Sequence, residues 1–244
     1  VTPAVEWRVR GGFATANTEA VDLGGEIIQV ARFARTEIRE GYPVPSLFGL
    51  KITNPNAVAD PVWEEDQFLG AAYPDKNISL STSVTLSQGL TLEALGEWQL
   101  GGHMLNAGGY QASRVGNYTP CYDIQRSIAA GNADADGITA YQRAHCAVNA
   151  GAVRRAYDWW VEPTDFFRLR TISLSYRLPA SLVPRDVDAA TVRLAGRNIW
   201  TVTDYTGTDP ELNDRFGAGD AMARRDYFAL PTYRTFELSL RVQF

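Results

Sequence analysis

The end of the sequence alternates between apolar and polar side chains. Phe236, Leu238, Leu240, Val242 and Phe244 fall on one face of an extended chain, and Thr235, Glu237, Ser239, Arg241 and Gln243 fall on the other. This period of two predicts a β-strand over about residues 232–244. A soluble sheet with one buried face produces the same pattern, so this strand alone favours a membrane barrel only weakly.

The same alternation recurs upstream. Ile172, Leu174 and Tyr176 alternate with polar residues, whereas the pattern that begins at Val192 blurs at Gly196-Arg197-Asn198. A short glycine turn, Ser87-Gln88-Gly89, indicates a hairpin in the middle of the chain. The sequence therefore predicts six strands, at about 4–16, 78–87, 90–100, 165–178, 190–202 and 232–244.

The connections between these strands alternate in length. They contain about 60, 2–3, about 64, 11 and about 29 residues. Structureless loops of more than about 15 residues are uncommon in compact soluble domains, whereas outer-membrane barrels combine short periplasmic turns with long extracellular loops. If residue 244 ends in the periplasm, all three long loops lie outside the cell. We therefore expect an all-β, antiparallel transmembrane β-barrel segment.

Bulk properties exclude some classes and leave the barrel open. The formal charge of −5 argues against nucleic-acid binding, and no clustered basic face is evident. The sequence contains no run of about 18 apolar residues, which a spanning helix would need. Mean hydropathy is −0.20, but barrel strands average out in the same way. The first residues do not form a signal peptide, so we expect either a removed leader or a fragment.

Several blocks of residues have a distinctive order. They are Asn17-Thr18-Glu19-Ala20-Val21-Asp22-Leu23-Gly24; Glu40-Gly41-Tyr42-Pro43-Val44 with Phe48-Gly49; Asp165-Phe166-Phe167-Arg168-Leu169-Arg170 through Pro179; Gly196-Arg197-Asn198-Ile199-Trp200; Tyr205-Thr206-Gly207; Asp209-Pro210-Glu211; and the segment from Pro231 to Phe244. Together they resemble the SusC/RagA family of TonB-dependent outer-membrane transporters. Arg197 departs from the smaller or amide residue often found there, and residues 106–160 match no block.

The resemblance implies a bacterial outer-membrane location and TonB-dependent import of a glycan or peptide-like nutrient. It implies a SusD-like surface lipoprotein, outer-membrane lipid and the barrel assembly machinery as partners, and TonB through an N-terminal part outside this chain. Barrels of this type close at about 22 strands, so residues 1–244 would be the C-terminal part of one, without the plug and the N-terminal strands. Phe244 would end the C-terminal assembly signal.

Catalytic chemistry has little support. His103 and His145 lack zinc-type spacing and are expected to be surface loop residues, and no catalytic motif occurs. The acidic run Glu64-Glu65-Asp66 is typical of a solvated loop. We therefore expect a protein that is not an enzyme and that uses no cofactor.

The segment Asn132, Asp134, Asp136 and Gly137 is similar to the start of a calcium loop. The closing acid is missing, because Arg143 occupies its position in the 12-residue template. An Asx-rich turn is the favoured interpretation and a metal site the alternative.

Cys121 and Cys146 are the two cysteines, and both fall in the second long loop. In an oxidising compartment such a pair usually forms a bridge, whereas a free buried pair would suit a soluble protein. We expect the disulfide.

Aromatic and basic residues supply the remaining candidates. Tyr157, Trp159 and Trp160 could form a flat surface for a sugar, although their place just before a strand favours an interfacial girdle. A set of arginines is expected to face the barrel lumen, where they could line a solute path or contact a plug; they are Arg168, Arg170, Arg177, Arg193 and Arg197.

The alternative to a transporter is a soluble all-β carbohydrate-binding module. Alternating strands and exposed aromatic residues would also suit that class. The lengths of the loops argue against it.

Overall fold

The computed structural model describes residues 5–31, 35–87, 89–148, 158–213 and 223–244. Within these residues the strands, in chain order, are β1 (Val5–Thr15), β2 (Ile28–Ala31), β3 (Thr36–Ile38), β4 (Ser46–Ile52), β5 (Trp63–Ala71), β6 (Lys76–Leu86), β7 (Leu90–Leu100), β8 (His103–Asn106), β9 (Val161–Pro163), β10 (Phe166–Arg177), β11 (Ala189–Thr203), β12 (Arg225–Asp226) and β13 (Thr235–Gln243). The helices are α1 (Ala107–Arg114), α2 (Tyr122–Ala129) and α3 (Ala140–His145), with short 3-10 turns at Thr119–Cys121 and Ala180–Leu182.

Six strands form one antiparallel sheet, which we call the wall. Its order is β1-β6-β7-β10-β11-β13, so each strand pairs with the wall strand that follows it along the chain. These are the six strands that the alternation predicted, and that prediction is confirmed. Within the described residues the wall does not close on itself, and β1 and β13 form its two edges.

Cross-strand register separates the two faces of the wall. Residues directly opposite one another on antiparallel strands point to the same side of a sheet. One row across all six strands is polar: Glu6, Thr85, Thr91, Ser175, Arg193 and Ser239. The adjacent row is apolar: Trp7, Val84, Leu92, Leu174, Leu194 and Leu238. The wall therefore has a polar face and an apolar face.

The apolar face is exposed. Trp7 has 70% of its surface accessible, Leu238 73% and Phe236 76%. Removing one exposed aliphatic or aromatic side chain of this size from water is favourable by about 1.5–3 kcal/mol of free energy. A face that repeats such residues across six strands requires an apolar environment.

The blurred pattern after Val192 marks a break in register. Between Leu169 and Thr171, β10 contains one residue more than β7, and β11 contains one more than β10. Asn198 adopts a positive φ of 52° there, a conformation that asparagine tolerates better than most residues. The extra residue in β10 is Arg170, which reaches the same face as Arg168.

The three long connections leave the same end of the wall and have structure of their own, which the sequence pattern did not predict. The first contains a four-stranded sheet, β2-β3-β4-β5. The second contains α1, α2 and α3, together with β8 and β9, and the third contributes β12, which pairs in parallel with β8. We call the described parts of residues 16–75, 101–165 and 204–234 the cap.

The cap has its own hydrophobic core. Leu47, Leu50 and Ile52 from the first connection pack with Leu105 and Trp160 from the second. Loop side chains that bury one another in this way form a folded unit and do not extend separately into solvent. No helix in the described part of the chain is both long enough and apolar enough to cross a membrane.

Candidate functional site

The polar face of the wall carries a series of ion pairs. Arg193 lies 3.6 Å from Glu93 and donates to Ser173 Oγ at 3.1 Å. Arg197 lies 3.6 Å from Glu237, and both side chains are more than half exposed. Glu93 and Glu237 are carried by other wall strands than their arginines. The pairs therefore link strands across the face.

The arginines that the sequence analysis assigned to one side all lie on the polar face, with Arg168, Arg177, Arg193 and Arg197 opposite polar residues in register. Arg170 reaches that face through the irregularity in β10. Arg168, Arg170, Arg193 and Arg197 are each paired with a carboxylate, so much of their charge is balanced.

A buried ion network joins the wall to the cap. Arg168, 2% exposed, donates to Asp209 Oδ1 at 2.7 Å and also pairs with Glu211. Arg170 donates to Glu211 at 2.5 and 2.7 Å and to Glu97 at 2.6 Å. Burial raises the pKa of Asp209, but the hydrogen bond from Arg168 and those from backbone amides outweigh it, so the pKa is lowered. The network therefore holds the third connection on the wall by two arginines.

This network explains the Asp209-Pro210-Glu211 block, whose carboxylates sequence reasoning did not pair with Arg168 and Arg170. The available signal was the occurrence of two arginines and two acids in neighbouring blocks. That signal does not say which arginine pairs with which acid. Arg168 is 41 residues from Asp209 and 43 residues from Glu211.

The Tyr205-Thr206-Gly207 block joins the third connection to the second. Thr206 donates to Glu162 through its amide and its hydroxyl, both at 2.8 Å. Tyr205 donates to Asp226 Oδ2 at 3.2 Å, and its burial raises the pKa of its hydroxyl. A Cβ on Gly207 would lie 2.4 Å from Tyr205 Oη, so a larger residue would displace this tyrosine.

Two blocks in the first connection pair with each other. Ala20 forms a parallel bridge with Glu40, and the Glu40 carboxylate accepts hydrogen bonds from the amides of Leu23 and Gly25. These amide bonds lower the pKa of Glu40. The segments 17–24 and 40–44 are therefore held together by a β-bridge and by hydrogen bonds to Glu40.

The aromatic candidates are not where the sequence analysis expected them. Trp159 is 7% exposed and Trp160 is 1% exposed, in the core of the cap. Both rings are packed in that core and line a cavity within the cap, so they form neither an interfacial girdle nor a flat stacking surface open to solvent. Tyr157 lies outside the described residues.

Both histidines are half-buried, so the expectation of surface loop histidines was wrong. His145 stacks on Trp160 with ring centroids 4.0 Å apart, and its Nδ1 lies 2.7 Å from the carbonyl oxygen of Trp159. His103 packs against Gly70, where a Cβ would lie 2.4 Å from the imidazole ring. Burial lowers the pKa of both histidines.

The acidic run 64–66 is part of β5 and is not a solvated loop. Asp66 pairs with Arg35 at 2.5 Å and with Arg39 at 2.6 Å. The Arg39 hydrogen bond is the largest of the effects that lower the pKa of Asp66 to about 2.

The calcium-like segment forms a compact turn. The amide of Asp136 donates to the carbonyl of Asn132, and the amide of Gly137 to that of Asp134. Arg143 bonds the Asp134 carboxylate and therefore occupies the oxygen that a cation would need. The described residues contain no cluster of three or more acidic, histidine or cysteine side chains arranged for a metal ion.

The two cysteines lie in the cap. Their sulfur atoms are 1.96 Å apart, in a disulfide between Cys121 and Cys146, and both residues are buried. The bond links the start of α2 to the end of α3. Phe244 follows the last residue of β13 and is 87% exposed; its role in assembly stays a prediction.

Comparison with known proteins agrees with the fold. A TonB-dependent receptor, P3, of Formosa agariphila is 32% identical over 144 residues, which is 55% of this chain. The whole chain superposes on a chain of the RagAB peptide transporter with a TM-score of 0.69 and 16% identity. The open-open state of the RagAB peptide importer gives a TM-score of 0.67 and 17% identity. No family model matches the chain.

The matched proteins are much longer than this chain, which spans 14% of the receptor and 28% of the RagAB transporter chain. The sequence similarity to the receptor covers more than half of this chain, and the similarity in fold to the RagAB structures covers all of it. The resemblance that the motif blocks indicated is thereby confirmed: the chain resembles the SusC/RagA-type TonB-dependent receptors of the outer membrane.

Proposed function

We propose that this chain is the C-terminal part of the barrel wall of an outer-membrane TonB-dependent importer. The observation that carries the proposal is the wall, in which polar and apolar rows are separated across six strands and the apolar face is exposed. Lipid tails would satisfy that face without altering the register. The rest of the protein would supply the plug and the strands that pair with the edges of β1 and β13, in a barrel of about 22 strands.

The positions of the connections support one orientation. The short connections lie at one end of the wall, and the three long ones that form the cap lie at the other. In outer-membrane barrels the short turns are periplasmic. The cap would therefore be extracellular, in contact with arriving nutrient and with a SusD-like surface lipoprotein.

The polar face would line the lumen. Its arginines would be hydrated along a solute path or paired with acidic groups of the plug, and either position avoids a charge in the hydrocarbon region. TonB would act through the part of the protein that precedes this chain. The chain would carry out transport and no catalysis, with a glycan or a peptide-like nutrient as substrate.

A pair of substitutions on neighbouring residues of β6 tests the placement of the two faces. Leu80 is on the apolar face and 45% exposed, whereas Ser79 is on the polar face opposite Glu97. In the full-length protein, Leu80→Arg should cost about 2–4 kcal/mol if residue 80 faces lipid near the membrane centre. Ser79→Arg adds the same charge to the lumen side and should be tolerated.

The readout is the abundance of each folded variant in outer-membrane fractions. We expect loss of Leu80→Arg and retention of Ser79→Arg. Equal abundance of the two variants would contradict the membrane orientation of the wall.

Transport itself is tested by deleting the gene that encodes the full-length protein. The deletion strain should lose growth on a sole nutrient, either peptide or oligosaccharide, and regain it with the wild-type gene but not with the Leu80→Arg variant. Unimpaired growth on every peptide and glycan source that the parent strain uses would contradict the import function.

A further inference from the structure

The cap contains a cavity of about 260 Å³ that the polar face of the wall does not contribute to. Trp63 of the first connection forms one side and is 46% exposed. Tyr110, Trp159 and Trp160 of the second connection form the other sides, and Leu50 and Ala144 are among the aliphatic residues of the lining. Aromatic rings from two separate connections therefore converge on one space.

Apart from the tyrosine and the tryptophans, the polar side chains that line the cavity are Arg143 and Ser113, and both already have partners. Arg143 donates to Asp60 and to the carbonyl of Ile138, besides its pair with Asp134. Ser113 donates its hydroxyl hydrogen to the carbonyl of His145 at 3.0 Å. A sugar placed here would lose hydrogen bonds to water and find few replacements, which costs free energy for each unpaired hydroxyl.

Contacts outside the cavity hold its lining residues in place. Trp160 is stacked on His145 and meets Tyr118 edge-on at 5.5 Å. The amide of Asp158 donates to the carbonyl of Leu50, and its carboxylate accepts from the amide of Ile52. These bonds fix the position of Trp159 relative to β4, so a ligand would not have to order the lining residues when it binds.

We propose that this cavity is a binding site for a small apolar ligand that contains an aromatic ring. An apolar cavity of about 150 Å³ can hold benzene, so a space of about 260 Å³ accommodates a ring of that size with a substituent. The inference goes beyond the proposed import function and depends on it only for the position of the cap outside the bilayer.

The test uses the full-length protein in outer membranes and the photoreactive probe 3-trifluoromethyl-3-phenyldiazirine. Illumination produces a carbene that inserts into nearby side chains, and mass spectrometry of peptides locates the insertions. We expect label on Trp63, Tyr110 or Trp159, and separately on the apolar face of the wall. Excess unlabelled indole should remove the label from the cavity, whereas excess glucose should leave it.

Two matched variants give the control. Ala144 lines the cavity, so Ala144→Phe should fill it and eliminate the cavity label. Ala129 is exposed at the end of α2, and Ala129→Phe should leave the label unchanged. Trp63→Ala removes the partly exposed side of the cavity and should also reduce the label on Trp159. Hydrogen exchange of the cap amides at the wild-type rate in each variant reports that the cap has folded.

The outcomes separate this inference from the proposed function. Label on the wall but none on the cavity residues would overturn the binding site and leave the membrane orientation intact. Cavity label that persists with indole and in Ala144→Phe would overturn it too, because such labelling is not confined to one site. Cavity label without label on the apolar face would support the site and contradict the lipid-facing wall.

Discussion

The wall turns its apolar side chains outward, whereas the cap turns them inward. Leu238 in the wall is 73% exposed, and Trp160 in the cap is 1% exposed. In the wall the strand order follows the chain order, although paired residues such as Leu92 and Leu174 are far apart in sequence. The cap joins different connections through side-chain contacts, such as the bond between Ile52 and Asp158, 106 residues apart. One chain therefore contains a region suited to an apolar solvent and a region folded as water-exposed proteins are.

This difference locates the source of stability in each region. In the cap, water drives apolar residues together, so its fold depends on its own core and on the bonds that hold it to the wall. In the wall, register and hydrogen bonds order the strands, but the apolar face gains nothing from water exclusion until lipid or another apolar surface covers it. Perturbations of the two regions should therefore have separable effects.

The largest expected effect comes from removing the environment of the wall. The 244-residue chain expressed alone in detergent-free buffer should aggregate, because it has two open strand edges and an uncovered apolar face. Size-exclusion chromatography with light scattering measures this directly. A monodisperse, cooperatively melting monomer would contradict the membrane interpretation of the wall.

Next comes the junction between the two regions. In the full-length protein, Arg168→Ala would leave the buried Asp209 carboxylate without its cation and should destabilise the cap by about 3–5 kcal/mol. The matched control is Arg197→Ala on the same face, whose pair with Glu237 is exposed and should contribute about 0–1 kcal/mol. Hydrogen exchange should show faster exchange in the cap of Arg168→Ala alone. Similar exchange in both variants would mean that the buried network does not anchor the cap.

The disulfide tests the cap by itself. Replacing Cys121 and Cys146 with serine should destabilise the second connection by roughly 3–3.5 kcal/mol in the chain-entropy model, for a sequence separation of 25 residues. Amides of α1, α2 and α3 should exchange faster, while wall amides stay unchanged. Non-reduced peptide mapping of the wild-type protein checks the bond first, and two free thiols there would contradict it.

The smallest expected effect is a pH dependence confined to the cap. Burial lowers the pKa of His145 below its ordinary value of 6.5, so the unfolded cap binds a proton more readily than the folded cap. Protonation of His145 in the unfolded cap therefore has no effect on stability above about pH 6.5, and it lowers the stability of the cap progressively as the pH falls below that value. His103 shifts in the same direction and should leave a weaker dependence in His145→Gln. Hydrogen exchange of the cap at about pH 7.5 and pH 5.5, corrected for intrinsic rates, measures the effect. A cap equally stable at both values would rule it out.

The amino-acid sequence determined the wall. Side chains alternate with period two in each strand, and a hydrogen-bonded antiparallel neighbour preserves that alternation, so the pattern predicts both the strands and their two faces. Even the exception was visible, because the blurred stretch at Gly196-Arg197-Asn198 is where the register shifts and Asn198 adopts a positive φ. The strand count and the loop lengths also predicted that the three long connections lie at the same end of the wall.

Only the tertiary structure determined the cap. The sequence places Trp159 and Trp160 just before a strand, where a girdle is plausible, but their burial depends on Leu50, Tyr118 and His145, which lie at other places along the chain. Packing contacts of this kind leave no periodic signal, because each one satisfies packing and hydrogen bonding in three dimensions without imposing a repeat on either segment. The wall is specified by local alternation, and the cap by non-local burial that appears only when the chain has folded.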